Sequence, residues 1–468
     1  MTTYDVDERL IRRPDQWRGR LQGALLLPGQ DGYDRARAAW NLEVDQHPAV
    51  VVLAECATDV QEAVRTAAAL GLGVAVQATG HGVSRPCDGG VLVVTSRMDD
   101  VVVDPVARRA RVGAGALWRD VVDAAAVHGL ATLPGSSTGV GVVGYTLGGG
   151  FGWLGRRYGL AAHSVTRAEL VTADGQQLVA SADEHPELFW GLLGGTGNFG
   201  VVTALEFRLH PLTHVYGGNL YYPLSRARDV LGVFADWTRR APHELTGAVA
   251  FRRFPDLPTV PAALRGQSLV ALRGCWSGDL TEGERLVDRA RRDLGPAQLD
   301  TFAPMPVAAM ASISADPVDP LGTVQHSETV TAVTSELVQV LLDLVGPGTD
   351  HPLVVLELRT LGGALDGPTG ALSPTAHTRG AASLNAIGVT SLPGDGSQQV
   401  RPFLTRLADR LRPHVTGDTY LNYLDLEGAT PQRVRAAYSA SDWQRLVTLK
   451  SQTDPQDLFR FNRAIPVA

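Results

Sequence analysis

Residues 133–160 read LPGSSTGVGVVGYTLGGGFGWLGRRYGL, and much of the predicted architecture follows from this glycine-rich run. Because glycine has no side chain, such a run lets the backbone lie directly against another object, and its N–H groups can bind an anion without a cationic side chain. A shorter glycine loop, ATGHGV at residues 78–83, follows a strand-like segment. Two such loops predict that the chain encloses a long, partly anionic ligand.

The same run contains GFGWLG, with Gly150, Gly152 and Gly155 at the G-x-G-x-x-G spacing of a dinucleotide-binding loop. That loop should follow a buried strand and open a helix, whereas these glycines follow VGYTLGG and lead into RRYGLAA. Asp174, near the position expected of a ribose-binding acid, belongs to an Asp-Gly pair typical of a hairpin turn. The motif therefore does not predict a Rossmann fold.

Composition limits the class of protein. A chain of 468 residues predicts about two or three domains, and 44% hydrophobic with 19% charged residues is typical of a soluble globular protein. A net charge of −7 argues against a nucleic-acid partner. The N-terminus lacks a signal-peptide pattern, no apolar run is long enough for a membrane span, and three scattered cysteines exclude a disulfide framework or a metal-thiolate site. We expect a cytoplasmic protein without a metal.

Strand-like and helix-like segments alternate irregularly, which indicates an α+β fold. AVVVLA, GVAVQA and GVLVVT are predicted strands, and TDVQEAVRTAAALGL is a predicted helix that ends at glycine. VVVDPVARRARVGAG and AELVTADGQQLVA are predicted hairpins, and NFGVVTALEFRLHP is a long strand. TYLNYLD is also predicted to be a strand, with Tyr420 and Asn422 on one face and Tyr423 on the other.

Five segments carry a family resemblance: ATGHG, the run at 133–160, ELFWGLLGGTGNFGVVTALEFRLHP, YLNYLD and DPQDLFRFNRAIP. In this order, over nearly the whole length, the chain resembles the berberine bridge enzyme-like flavoproteins of the vanillyl-alcohol-oxidase superfamily. The resemblance implies a PCMH-type FAD-binding domain of two α/β subdomains, plus a substrate domain whose antiparallel sheet is backed by helices. The implied divisions are a lead-in at 1–40, the FAD domain at 41–212, the substrate domain at 213–418, and a segment at 419–468 that returns to the FAD domain.

The resemblance also implies how FAD is held. The family loop that carries a histidyl FAD ends in Gly-Gly-His, and here that slot is Thr79-Gly80-His81, with Ala78 in place of an arginine. Some relatives add a cysteinyl link at the slot of Ser137, which cannot form a thioether, so His81 is the one expected attachment. The resemblance assigns to the cofactor site Ala78, Thr79, Gly80, His81, Gly82, Val83, Pro134, Gly135, Ser136, Ser137, Gly141, Val142, Gly144, Tyr145, Gly148, Gly149, Gly150, Gly152, Asn198, Gly200, Val201 and Asn422.

The resemblance places YLNYLD against the flavin, which makes Tyr420 the first candidate for the base and Tyr423 the reserve. Glu357 and Arg359, two residues apart in LVVLELRTLGG, either form a buried ion pair or face a cavity, so Glu357 is an alternative base. His377 is a candidate pocket residue.

Together these features predict an FAD-dependent oxidoreductase. It would oxidise a small natural-product alcohol or amine and return electrons to O2, and its alanine-, arginine- and glycine-rich composition resembles that of actinobacterial enzymes of secondary metabolism. Two alternatives stay open: a redox-neutral cyclase that uses FAD to shape its pocket, and a catalytically silent metabolite-binding flavoprotein. The substrate, the oligomeric state and the choice between an oxidase and a dehydrogenase do not follow from the sequence.

Overall fold

A computed structural model describes residues 17–258, 260–366, 373–374, 379–391 and 396–468, except the side chains of 396 and 397. Its first sheet has the order β1-β2-β4-β3, with β2, β4 and β3 parallel and β1 antiparallel. The crossover helix α2 begins at Ala57, one residue before the Thr58 predicted to cap it, and ends where Gly71 adopts a φ of 70°, which a residue with a side chain rarely adopts. The elements are β1 (Ala24–Leu26), α1 (Tyr33–Arg37), β2 (Val50–Leu53), α2 (Ala57–Leu70), β3 (Val74–Gln77) and β4 (Val91–Val94).

The second sheet is antiparallel, in the order β5-β6-β10-β8-β9, and β7 pairs with β11 beside it. Both predicted hairpins are present, and Gly175 closes the β8–β9 turn at a φ of 75°. The strands are β5 (Val101–Asp104), β6 (Arg109–Gly113), β7 (Leu130–Ala131), β8 (Val165–Val171), β9 (Gln177–Ser181), β10 (Val201–Arg208) and β11 (His210–Pro211). The helices are α3 (Trp118–Ala126), α4 (Val142–Leu147), α5 (Gly155–Tyr158) and α6 (Pro186–Leu192).

The third sheet is also antiparallel, in the order β15-β12-β14-β13-β18-β19-β17, with β16 on β12, among the residues described. Its strands are β12 (His214–Pro223), β13 (Leu245–Arg253), β14 (Ser268–Trp276), β15 (Leu299–Asp300), β16 (Ala303–Pro306), β17 (Thr323–Val330), β18 (Leu353–Thr360) and β19 (Ala382–Val389). Its helices are α7 (Ala227–Arg240), α8 (Leu280–Leu294), α9 (Ala311–Ser314), α10 (Ser335–Val345) and α11 (Gly396–Leu411). The predicted α+β class, with its helix-backed antiparallel sheet, is confirmed.

The two faces of this third sheet differ in chemistry because side chains alternate along each strand. One face presents apolar residues such as Leu220, Val249, Leu272, Leu358 and Leu384, all fully buried in one core with the helices α7, α8, α10 and α11. The opposite face carries charged and amide side chains in register across four strands: Asn219, Arg273, Glu357, Arg359 and Asn385. We call this second face the polar roof.

The C-terminal segment contains α12 (Pro431–Arg435) and α13 (Ala440–Thr453) and packs on the first two sheets. Lys450 is fully buried and donates to Asp454 at 2.6 Å and to the carbonyls of Asn198 and Phe459. The backbone N–H of Val74 donates to Leu458 O at 2.8 Å, which attaches this segment to the first sheet.

The predicted strand at TYLNYLD is wrong. Residues Leu421–Tyr423 form a 3-10 turn, and the Tyr423 N–H donates to Tyr420 O at 3.0 Å.

Among the described residues, no helix has the length and apolar character that a membrane span requires.

Candidate active site

The two glycine loops meet. A Cβ added at Gly141 would lie 3.2 Å from the Cβ of Ala78, so residue 78 lies against the second loop. At Gly148 a Cβ would overlap the side-chain oxygen of Asn422, and at Gly152 it would overlap Pro134 O. Glycine is therefore required here for close packing as well as for any ligand contact.

Asn422 fixes the 3-10 turn to the glycine run. Its Nδ2 donates to Tyr145 O at 2.9 Å and to the Tyr420 hydroxyl at 3.2 Å. The Tyr420 hydroxyl also lies at the backbone N–H groups of Gly150 and Phe151, yet burial outweighs these bonds and raises the pKa of Tyr420 far above its ordinary value. Tyr420 is thus held by the loop beneath it.

His81 has defined surroundings. Its ring stacks on Trp40, with the centroids 4.3 Å apart and the planes 14° apart, and its Nδ1 lies 2.8 Å from Thr79 Oγ1. Burial lowers the pKa of His81 to about 4, so the imidazole is neutral at pH 7. With Nδ1 engaged by Thr79, Nε2 is the nitrogen left for another bond. Trp40 Nε1 in turn donates to Val318 O at 3.0 Å.

The residues around these loops fit an FAD. Several buried polar atoms have no hydrogen-bond partner among the described residues: Ser84 Oγ, Tyr145 OH, Thr146 Oγ1, Asn462 Oδ1 and Arg463 Nε. Unpartnered buried polar atoms are rare, so a polar ligand that supplies their partners is the simplest account of them. Burial lowers the pKa of Arg463 to about 10, and its guanidinium lies 3.8 Å from where a Cβ on Gly82 would be.

A cavity of about 480 Å³ opens beside the first loop. It is lined by residues at the carboxyl ends of the parallel strands, Leu53, Gln77 and Val94, where α/β sheets bind ligands. Ala78 and Thr79 line it from the loop, and it is also lined by Arg35 and Arg97. Arg97 is paired with Glu55 at 2.6 Å, and Asp31 also lines the cavity.

The polar roof centres on three charged side chains. Glu357 accepts from Arg273 at 2.6 Å and from Arg359 at 2.6 Å, and both guanidinium groups are almost fully buried. Burial alone would raise the pKa of Glu357, but the two guanidinium groups outweigh it and hold the pKa below its ordinary value. The predicted Glu357–Arg359 ion pair is therefore present, with Arg273 as a second partner that the sequence did not indicate.

The roof meets the glycine run at a cluster of aromatic rings. The Arg359 guanidinium lies 4.2 Å from the ring centre of Trp153 and 5.7 Å from that of Phe151. Tyr420 packs edge-on against Phe151 at 6.3 Å and against Tyr423 at 5.0 Å. Burial raises the pKa of Tyr423, and the nearby positive charge of Arg359 opposes that rise. Both tyrosines of the YLNYLD turn therefore lie within the influence of a buried cation, Arg359 for Tyr423 and Arg463 for Tyr420.

Other predicted residues have different surroundings. Asn198 uses its whole amide on the chain itself: Nδ2 donates to Gly195 O and Arg463 O, and Oδ1 accepts from the Ile465 N–H. Val201 begins β10, and Gly200 precedes the strand. Ser137 Oγ accepts from the Gly139 N–H at 3.3 Å. Asp174 bonds within its own turn, as the hairpin interpretation requires. His377 lies outside the described residues.

The sequence analysis did not identify Trp40 or the arginines Arg35, Arg273 and Arg463 as site residues. Arg463 belongs to DPQDLFRFNRAIP, one of the five segments that carry the resemblance, so its position near the glycine loops could have been predicted. Arg273 lies alone in the apolar strand SLVALRGCW, and an arginine in such a strand is a signal that was available. Arg35 and Trp40 belong to the N-terminal segment, which has no motif.

Two family models and several known proteins match this chain. The FAD binding domain family matches residues 48–181, and the "berberine and berberine like" family matches residues 419–466. The chain is 28% identical to (R)-6-hydroxynicotine oxidase of Paenarthrobacter nicotinovorans, over 94% of this chain and 96% of that protein.

Solved structures match the chain as well. The 6-hydroxy-D-nicotine oxidase of Arthrobacter nicotinovorans superposes with a TM-score of 0.83 at 26% identity, covering 95% of this chain and 98% of that one. Physcomitrella patens BBE-like 1 superposes with a TM-score of 0.84 at 22% identity, covering 97% and 99%, and shows the same fold.

Proposed function

Because the chain belongs to the berberine bridge enzyme-like FAD-linked oxidoreductases, we propose that it oxidises a small natural-product alcohol or amine in bacterial secondary metabolism. When bound, FAD supplies a two-electron acceptor at its N5 atom and passes the electrons to O2. The observation that carries the proposal is the junction of the polar roof with the glycine run, where Tyr423, Tyr420 and Arg359 lie together.

The chain's own residues account for cofactor binding. The loop at 78–83 and the run at 134–152 hold FAD through backbone N–H groups, and Arg35 and Arg463 supply positive charge beside it. His81 carries the covalent bond through Nε2, because its ring is neutral, fixed by Trp40 and engaged by Thr79 only at Nδ1. Ser137 leaves no second attachment.

The substrate's O–H or N–H proton goes to Tyr423 in its tyrosinate form, because a neutral phenol cannot act as the base. Glu357 is a poor base, because protonating it would remove the charge that two buried guanidinium groups share. The Tyr420 hydroxyl already accepts from Asn422 and faces the loop N–H groups, and burial raises its pKa far above its ordinary value although these donors and the charge of Arg463 oppose the rise. Tyr423 lies beside Arg359, whose charge favours the tyrosinate. The contacts thus favour Tyr423 over Tyr420, which the sequence ranked first.

An acceptor experiment tests this function. A panel of alcohols and amines is incubated with the purified holoenzyme in air, without O2 but with an artificial electron acceptor, and without any acceptor. We expect O2 consumption and one equivalent of H2O2 per product. Turnover only with the artificial acceptor would replace the oxidase by a dehydrogenase, and product formed without any acceptor would refute the oxidation.

A further inference from the structure

The polar roof holds more positive than negative charge in a buried place. Arg273 and Arg359 are 2% and 3% exposed, and they share one carboxylate, Glu357. Arg252, on the same face, adds a third cation, and the exposed Asp316 is the other acidic group that acts on Arg359 and Tyr423. These five groups sum to one excess positive charge. Because a buried charge without a partner is strongly unfavourable, this excess calls for an anion.

Among the guanidinium nitrogens of Arg273 and Arg359, one has no hydrogen-bond partner among the described residues. Arg273 bonds through all three guanidinium nitrogens, to Asn219 Oδ1, to Glu357 and to the carbonyl of Ile313. Arg359 uses Nε and one terminal nitrogen on Glu357, at 3.0 and 2.6 Å. Its other terminal nitrogen, Nη1, is buried and has no partner among the described residues. The guanidinium therefore keeps one donor edge that no described residue occupies.

This edge lies at the cluster of aromatic rings that includes Tyr420 and the proposed base Tyr423. One side of the guanidinium rests on Trp153 and Phe151, and its charge acts on the hydroxyls of Tyr423 and Tyr145. Tyr145 is itself buried with an unpartnered hydroxyl. A group bound at Arg359 Nη1 thus lies among aromatic rings and close to Tyr423.

We propose that Arg359 binds a carboxylate on the substrate, so that the enzyme acts on a carboxylate-bearing alcohol or amine whose acid group lies a few bonds from the reacting carbon. This deepens the proposed function and rests on it. A carboxylate matches the excess charge and the free donor edge together, whereas a neutral hydroxyl or amide leaves the charge unbalanced. The aromatic rings favour a flat or apolar body between the two ends.

The test uses the FAD-loaded enzyme and two probes of the same shape. Benzoate and benzamide are titrated separately, and binding is followed by tryptophan fluorescence and by the flavin absorbance band. We expect benzoate to bind wild type at least tenfold more tightly than benzamide, and Arg359→Gln to abolish this preference. The matched control is Arg253→Gln, which removes a positive charge from the exposed end of β13, where Arg253 bonds to His351 O.

The possible outcomes distinguish a failure of the carboxylate site from a failure of the proposed function. Equal affinity for both probes in flavin-loaded wild type, or a preference that survives in Arg359→Gln, overturns the carboxylate site and leaves the oxidase intact. Protein that purifies without flavin overturns the proposed function itself. If Arg359→Gln does not fold, Arg359→Lys replaces it: an ammonium held by Glu357 lacks the second donor edge, so the preference should fall although the charge is kept.

Discussion

Glu357→Gln tests the buried charge network of the polar roof. The substitution keeps the shape of the side chain and removes the one negative charge that Arg273 and Arg359 share at 2.6 Å. Removing one partner of a buried ion pair costs about 3–5 kcal/mol, because the remaining charges lose their compensation. For a unit of the size of residues 213–418, this corresponds to a fall in melting temperature of roughly 6–20 °C.

The assay is thermal unfolding followed by circular dichroism, with two comparisons. Glu206→Gln breaks the exposed pair with Arg109 and should change stability by about 1 kcal/mol or less. The double variant Glu357→Gln/Arg359→Met restores the original net charge of the site and should recover part of the loss. If Glu357→Gln is no more destabilising than Glu206→Gln, the roof carboxylate is not a buried counter-ion, and the argument against Glu357 as base fails with it.

His81→Ala should leave no flavin on the acid-denatured polypeptide, whereas Ser137→Ala should leave it attached as in wild type; flavin released from denatured wild type would contradict the His81 bond. Tyr423→Phe should slow substrate-driven flavin reduction by about 10²–10⁴-fold, the usual range for losing a general base, and Tyr420→Phe should slow it less; the reverse order would return the role to Tyr420. Burial also holds the pKa of three histidines at about 4 in the folded chain, below the unfolded value of 6.5, so the unfolded chain binds protons first as the pH falls. Melting temperature should therefore decline from pH 6.5 towards 4, and a flat or rising profile would contradict the burial of His81, His163 and His210.

Local patterns predicted the elements that depend on neighbours in the sequence. The hairpin at Asp174–Gly175 and the helix that ends at Gly71 follow from turn and cap chemistry, which acts over a few residues. The glycine loops were recognisable because close backbone approach leaves a glycine signature. The residues around GFGWLG argue against a dinucleotide-binding loop. In the structure only a one-turn helix, Gly155–Tyr158, follows that motif.

Long-range contacts could not be predicted from local patterns in the sequence. TYLNYLD has strand-like alternation, yet it forms a turn in which Asn422 bonds to Tyr145 O, 277 residues earlier in the chain. Arg273 meets Glu357 only because β13 pairs with both β14 and β18, and that register is not readable from either strand alone. The order of preference between Tyr420 and Tyr423 depends on these contacts, as does the free edge of Arg359.

The most direct test of the account is anaerobic mixing of the purified holoenzyme with its substrate while the oxidised-flavin absorbance is recorded. The account predicts that the absorbance disappears as product forms, at most one product per flavin, and returns when air is admitted. Repeated product formation with unchanged flavin absorbance would contradict it, as would a purified protein that contains no flavin.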